Sequence, residues 1–234
     1  MSSPSFVIAA PEQATLPVKG STQRFPVHRI YCVGRNFAAH AVEMGHDPDK
    51  EPPFFFQKSA TTLIADDQDF PYPPATQDVH HEIEMVVALA RGGVNIPVEE
   101  ALEHVYGYAV GLDMTRRDIQ AEMKKMGRPW DTAKSFEGAA PCGALVPAKT
   151  IGHPSSGAIW LKINGELRQQ GDLDQMIWKV PEIISQLSSL FELRAGDLIM
   201  TGTPSGVGAV NKGDMLVGGV EGVGELHTRV VDPA

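Results

Sequence analysis

The run His81-Glu82-Ile83-Glu84-Met85-Val86-Val87-Ala88-Leu89 sets two carboxylates into an otherwise apolar strand pattern. Side chains two apart on a strand share a face, so Glu82 and Glu84 lie side by side, away from Ile83, Met85, Val87 and Leu89. Asp113 ends a second apolar run, Tyr108-Ala109-Val110-Gly111-Leu112-Asp113. Like charges held this close repel, and burying them unpaired costs roughly several kcal/mol or more. Two solutions are open. Either the acids face water on an edge strand and Asp113 caps the following helix, or the strand is buried and a cation sits among the acids. Three carboxylates without a thiolate suit a hard ion, Mg²⁺ or Mn²⁺, completed by water or substrate.

The 234 residues suffice for one substantial core. A formal charge of −9 argues against nucleic acid and anionic membrane as partners, though local cations can still hold small anions. Cys32 and Cys142 stand far apart, which excludes a disulfide framework or thiolate zinc site and points to a reducing cytoplasm. Phe6 to Ala10 is too short for a signal segment, and no span reaches membrane length.

The 23 Gly and 18 Pro imply many turns, so an α+β, β-rich fold is expected rather than a helical bundle. Residues 1–25, rich in Pro, Ser and Thr, read as a loosely attached arm, and 26–234 as a single domain. His28 to Val33 reads as a strand, Asn36 as the cap of a helix through about Met44, and Phe54-Phe55-Phe56 as a buried strand. Pro97 opens a short helix, Val98 to His104. Thr115 and Asp118 form a capping-box pattern for a helix that Gly127 ends. Asn164-Gly165 marks a hairpin after Ile159 to Ile163, and Pro181 to Leu190 carries a helical apolar stripe. Asp197 to Met200 and Leu226 to Val231 read as strands. The order is not the regular alternation of a doubly wound sheet.

Four further features carry chemistry or a bland alternative. His40 and Glu43, three apart, share a helix face; a carboxylate beside an imidazole makes a water-activating base, or merely an exposed pair. Thr201-Gly202-Thr203-Pro204-Ser205-Gly206-Val207-Gly208 can hold a carboxylate on backbone amides, or is a tight turn; it lacks the Gly-Lys-Ser/Thr of a phosphate loop. Arg116, Arg117, Gln120, Lys124, Lys125 and Arg128 form a basic stretch, mostly a solvated helix face, with Arg117 and Gln120 on one side. Lys134, between Trp130 and Phe136, either meets an anionic substrate or snorkels to water. His80 and His81 fall on opposite faces and are left out of the metal shell.

Taken in order, these segments resemble the fumarylacetoacetate hydrolase family from about residue 25 to the C-terminus. The matching residues are Val33-Gly34-Arg35-Asn36 with His40 and Glu43, His80-His81-Glu82-Ile83-Glu84, Leu112-Asp113-Met114-Thr115-Arg116-Arg117-Asp118, Lys134-Ser135-Phe136, Ile163-Asn164-Gly165 and Thr201-Gly202-Thr203-Pro204. The resemblance implies a mixed β-sandwich roll with a few short helices, a homodimer, and a Mg²⁺ or Mn²⁺ site on Glu82, Glu84 and Asp113. His40 with Glu43 is then the water-activating pair, Lys134 a catalytic lysine, and Arg35, Arg117, Gln120 and Thr203 face the substrate.

The implied reaction is hydrolysis of a C–C bond in a 2,4-diketo acid. The chain is most similar to short bacterial members that split fumarylpyruvate in gentisate-type aromatic breakdown, then to acylpyruvases. Oxaloacetate decarboxylation, isomerisation or decarboxylation of unsaturated keto diacids, and a non-catalytic metal-binding module are the alternatives. A second carboxylate at the far end of the substrate would need a cation, for which Arg35, Arg117 and Arg128 are candidates. Two departures stand out: Val33 where larger members carry a further metal carboxylate, and Phe37 where a tyrosine is frequent.

Overall fold

The computed structural model describes residues 5–38, 52–65 and 67–233. The helix expected through Met44, and with it His40 and Glu43, lies outside the described residues beyond Ala38.

The carboxylate strand spans Ile83–Leu89 and is buried at every position. It lies inside a six-stranded mixed sheet of order Val146–Pro147, Val105–Leu112, Ile83–Leu89, Leu198–Met200, Ile30–Gly34, Phe54–Lys58. This position removes the edge-strand solution for its acids. Ile83, Met85, Val87 and Leu89 face a second, five-stranded sheet and meet Ile159, Leu161, Ile163, Leu216 and Leu226 in one core. Gly218 lets the sheets close up, since a Cβ there would stand 2.4 Å from Ile83 Cδ1. Val86 and Ala88 point the other way, into a second core with Ile30, Cys32, Leu198 and Met200. Glu82 and Glu84 belong to that same face by strand alternation. The result is a mixed β-sandwich roll with a few short helices.

The arm is not loose in its second half. Thr15–Pro17 pairs antiparallel with Arg24–Pro26, and Leu16, Val18 and Phe25 enter the second core. The Asn164-Gly165 hairpin forms as expected, with φ of 52° and 86°, between Ala158–Ile163 and Glu166–Asp172. The stripe after Pro181 is the helix Val180–Leu190, and Pro97 precedes a 3₁₀ helix over Val98–His104.

Two local readings are corrected, the buried Phe54 strand and the capping box after Asp113. Phe54–Lys58 is an edge strand with Phe54 on the surface, because nothing pairs beyond it in the sheet. Asn36 Nδ2 donates to Thr201 O (2.7 Å) and Trp178 O (3.0 Å), and its Oδ1 accepts from Trp178 N (2.7 Å), while the helix it is expected to cap lies outside the described residues. The helix after Asp113 is Arg117–Met126, ended by Gly127 in the left-handed region, but no side chain caps its start. Asp118 instead accepts from Thr76 Oγ1 and Gln77 N, and Thr115 Oγ1 donates to Asp113 O.

Candidate metal centre and substrate cleft

Antiparallel register assembles the acids. Ile83 pairs with Leu112, so Asp113 lies opposite Glu82 and its N–H donates to Glu82 O at 2.9 Å. The carboxylate atoms of Glu82, Glu84 and Asp113 lie within 4.8 Å of one another, all buried. They form the floor of a cleft that Arg35, Arg117, Gln120, Lys134 and Thr203 also line. The described residues nominated as metal ligands, as catalytic lysine and as substrate-facing groups are therefore in one place, whereas Arg128, a candidate for the far carboxylate, does not line the cleft.

The floor is electrostatically uneven. Lys134 Nζ donates to Glu82 Oε2 (2.8 Å) and Asp113 Oδ2 (2.7 Å). Arg117 Nη2 donates to Glu82 Oε1, while its Nη1 donates to Gln120 Oε1 at 2.6 Å. Burial pushes the Glu82 carboxyl up, but Lys134 and Arg117 pull it further down, well below the usual carboxylate range. Lys134 is raised in turn: burial works against its charge, and Asp113 and Glu82 more than offset that. The snorkelling reading of Lys134 is excluded, because its ammonium is buried.

Glu84 is the exception. Its one polar partner among the described residues is Gly202 N, which donates to Oε2 at 2.6 Å. Burial, then the charges of Asp113 and Glu82, drive its carboxyl well above the ordinary range. A buried acid with no cationic partner among the described residues, beside two others, is the signature of a site built for an ion. All-oxygen, carboxylate-rich donors fit Mg²⁺ or Mn²⁺. The Gly-rich turn thus does hold a carboxylate, that of Glu84. Gly202 is required for it, with φ +98° and a would-be Cβ 2.7 Å from Asn36 Cβ.

Three contributors escaped the sequence reading. Lys58 is buried, its Nζ 2.8 Å from Asp113 Oδ1 as an ion pair, and it also donates to Met114 O (3.1 Å) and to Lys134 O. It thereby ties the two elements that carry Asp113 and Lys134. No donor is aligned on Asp113 Oδ1, so that oxygen keeps bonding capacity for an ion.

Gln169 is the second. A register shift opposite Leu161/Lys162 turns it inward from a mostly exposed strand. Its amide orientation is fixed by backbone groups: Oε1 accepts from Ile83 N (3.1 Å), and Nε2 donates to Pro204 O (2.8 Å). Nε2 therefore also donates to Thr203 Oγ1 at 2.8 Å, which leaves the Thr203 hydroxyl proton for an acceptor in the cleft. The same logic puts a proton on His81 Nδ1, 2.8 Å from Gln169 Oε1. Burial lowers His81 to about 4, so the ring is neutral. Because Gln120 Oε1 is taken by Arg117, its Nε2 is likewise left as a donor. The third contributor is the outer wall, Lys124 with Phe56 and Trp130. Its signal was available, since Lys124 follows Arg117 and Gln120 at helical spacing.

A buried carboxylate triad, ringed by cations and hydroxyl and amide donors on a β-sandwich roll, defines a metal-type cleft for small oxyanions. The chain belongs to the fumarylacetoacetate hydrolase family: residues 29–231 match the family described as fumarylacetoacetate (FAA) hydrolase C-terminal. It is 45% identical over 189 residues, 80% of this chain and 98% of the other, to fumarylpyruvate hydrolase of Ralstonia sp. It is 44% identical over 201 residues, 86% and 90% of the two chains, to the mitochondrial oxaloacetate tautomerase of Rattus norvegicus. The crystal structure of fumarylpyruvate hydrolase from Pseudomonas aeruginosa in complex with Mn²⁺ and pyruvate matches with a TM-score of 0.96 at 52% identity, covering 97% of this chain and all of that one. No helix among the described residues is long and apolar enough to cross a membrane.

Proposed function

We propose that the protein is a divalent-metal-dependent hydrolase of a C–C bond in 2,4-diketo acids, with fumarylpyruvate cleaved to fumarate and pyruvate. The observation that carries this is the Glu82, Glu84 and Asp113 triad, in which Glu84 has no cationic partner among the described residues while donors converge on the space above it. Glu82, Glu84 and Asp113 would hold Mg²⁺ or Mn²⁺. Bound there, the ion supplies Lewis-acid stabilisation of negative charge developing on substrate oxygens.

The chain's own groups do the rest. Thr203 Oγ, Gln120 Nε2 and Arg35 bind and orient the oxyanionic end of the substrate. Arg117 holds Glu82 and Gln120 in place. His40, oriented by Glu43, takes a proton from water, and the hydroxide adds to the acyl carbonyl carbon. The C–C bond then breaks with its electron pair passing to the pyruvate fragment, whose methylene carbon takes a proton. Lys134, held between Glu82 and Asp113, stabilises the anion formed. A purely metal-storing module would need neither the donors nor a base. A reducing cytoplasm, which the free thiols of Cys32 and Cys142 suit, and a homodimer, which the family resemblance implies, belong to this reading.

A second reading, enol–keto interconversion of oxaloacetate, is supported by the tautomerases at 44% identity. It needs the oxyanion cleft but no attacking water. Pyruvate release from fumarylpyruvate, acetylpyruvate and oxaloacetate, together with loss of the oxaloacetate enol absorbance, measured in parallel with and without chelator, separates the readings. Chelator-sensitive pyruvate release from the acylpyruvates is expected. Oxaloacetate tautomerisation with no acylpyruvate cleavage would replace the hydrolase reading by the second one.

A further inference from the structure

The outer wall of the cleft carries a cation that the reaction as described does not use. Lys124 lies on the helix Arg117–Met126, one face with Arg117 and Gln120, and lines the cleft. Its Nζ stands 5.0 Å from the centroid of the Trp130 ring. Phe56 and Trp130, with centroids 5.9 Å apart and ring planes inclined at 57°, complete an apolar slot beside it. Lys124 has no carboxylate within ion-pair distance among the described residues, whereas Lys58, Lys134 and Arg117 all do. Burial, and then the charges of Arg117 and Arg35, disfavour its ammonium, so an anion arriving there is welcome. The sequence reading favoured an arginine for the far carboxylate. Arg117 is already committed to Glu82 and Gln120, and Arg128 does not line the cleft.

With the 2-oxo acid end of the substrate at the carboxylate floor, the acyl end faces this wall. A trans-alkenyl acid is planar, apolar along its length and anionic at its tip, which matches two aromatic rings followed by an ammonium. We propose that Lys124 is a specificity-determining residue: its ammonium, set in the Trp130–Phe56 slot, binds a carboxylate at the far end of the acyl group and makes the enzyme favour diacid acylpyruvates over those ending in a methyl. This rests on the hydrolase reading for its substrate orientation.

The test compares kcat/KM for fumarylpyruvate and acetylpyruvate in the Mn²⁺-loaded wild type, Lys124→Met, Lys124→Arg and Arg35→Met. Lys124→Met is expected to lose about 10–100-fold on fumarylpyruvate, chiefly through KM, and less than about threefold on acetylpyruvate, the scale of a lost hydrogen bond to a charged group. Lys124→Arg is expected to recover most of the loss. Equal loss on both substrates, no loss on either, or selective loss in Arg35→Met alone overturns the proposal. Fumarate titrated against intrinsic tryptophan fluorescence gives a readout without turnover. If the wild type cleaves neither acylpyruvate, the hydrolase reading fails; fumarate binding abolished by Lys124→Met still supports the anion site, and binding unchanged by it overturns the site.

Discussion

The floor and the outer wall of the cleft are built on different principles. On the floor Glu82, Glu84, Asp113, Lys58 and Lys134 are buried, Arg117 is partly so, and most are doubly engaged: Lys134 spans Glu82 and Asp113, Arg117 spans Glu82 and Gln120, and Lys58 ties Asp113 to two backbone carbonyls. On the wall Lys124 leans on an aromatic ring and Phe56 and Trp130 are only partly buried. A floor so coupled cannot change one member without exposing the others to unpaired charge. A wall held by a half-exposed ring and a flexible ammonium can change with little cost to the fold. Under the proposed reading the difference divides labour: the floor fixes the reaction, and the wall selects the substrate.

Substitutions can break or sharpen this division. The largest effect is expected at Glu84→Ala, which removes the acid that has no cationic partner among the described residues. Ion binding should vanish and turnover fall by roughly a thousandfold or more, the upper scale for losing preorganised charge stabilisation, while far-ultraviolet circular dichroism stays native. His40→Ala follows, with hydrolysis reduced by roughly two or more orders of magnitude for a lost general base. Metal affinity, read by calorimetry, should barely change. Equal loss of hydrolysis and of oxaloacetate chemistry would assign His40 some task other than activating water.

Lys58→Met tests the coupling of the floor. It leaves Asp113 and two carbonyls short of a partner, at a cost of about 3–5 kcal/mol, the scale of a broken buried ion pair. Thermal melting should drop by roughly 6–20 °C for a chain of this size. Lys124→Met on the wall should shift the same transition by no more than about 1–2 °C. Comparable shifts would erase the distinction between floor and wall.

A smaller effect is expected at Gln169→Met. The Thr203 hydroxyl loses the donor that orients it, so kcat/KM should fall about tenfold, and equally for fumarylpyruvate and acetylpyruvate, on the scale of one hydrogen bond. In a Thr203→Val background the same change should add little, because the group it orients is gone. Selective loss on one substrate would move Gln169 from the shared end to the acyl end.

The floor was legible in the sequence because its logic is local. Period-two spacing puts Glu82 and Glu84 on one face, and Asp113 closes an adjacent strand. Which solution the acids adopt was not local: it depends on Ile83–Leu89 being interior to the sheet, a fact of topology. Lys58 and Gln169 were invisible for the same reason, since their partners lie 34 to 88 positions away. The capping box failed when Asp118 found Thr76 and Gln77, 41 to 42 positions back in the chain. Lys124 was read as part of a solvated helix face, although its spacing from Arg117 and Gln120 was already in hand.

The central claim is that the carboxylate floor works only with an ion in it. Its most direct test is pyruvate release from fumarylpyruvate by metal-stripped protein as Mn²⁺ is titrated back. Activity near zero without the ion, rising to a plateau at about one Mn²⁺ per chain, is expected from a single oxygen-ligand site. Full activity in metal-free buffer, with no response to added Mn²⁺, would contradict the claim.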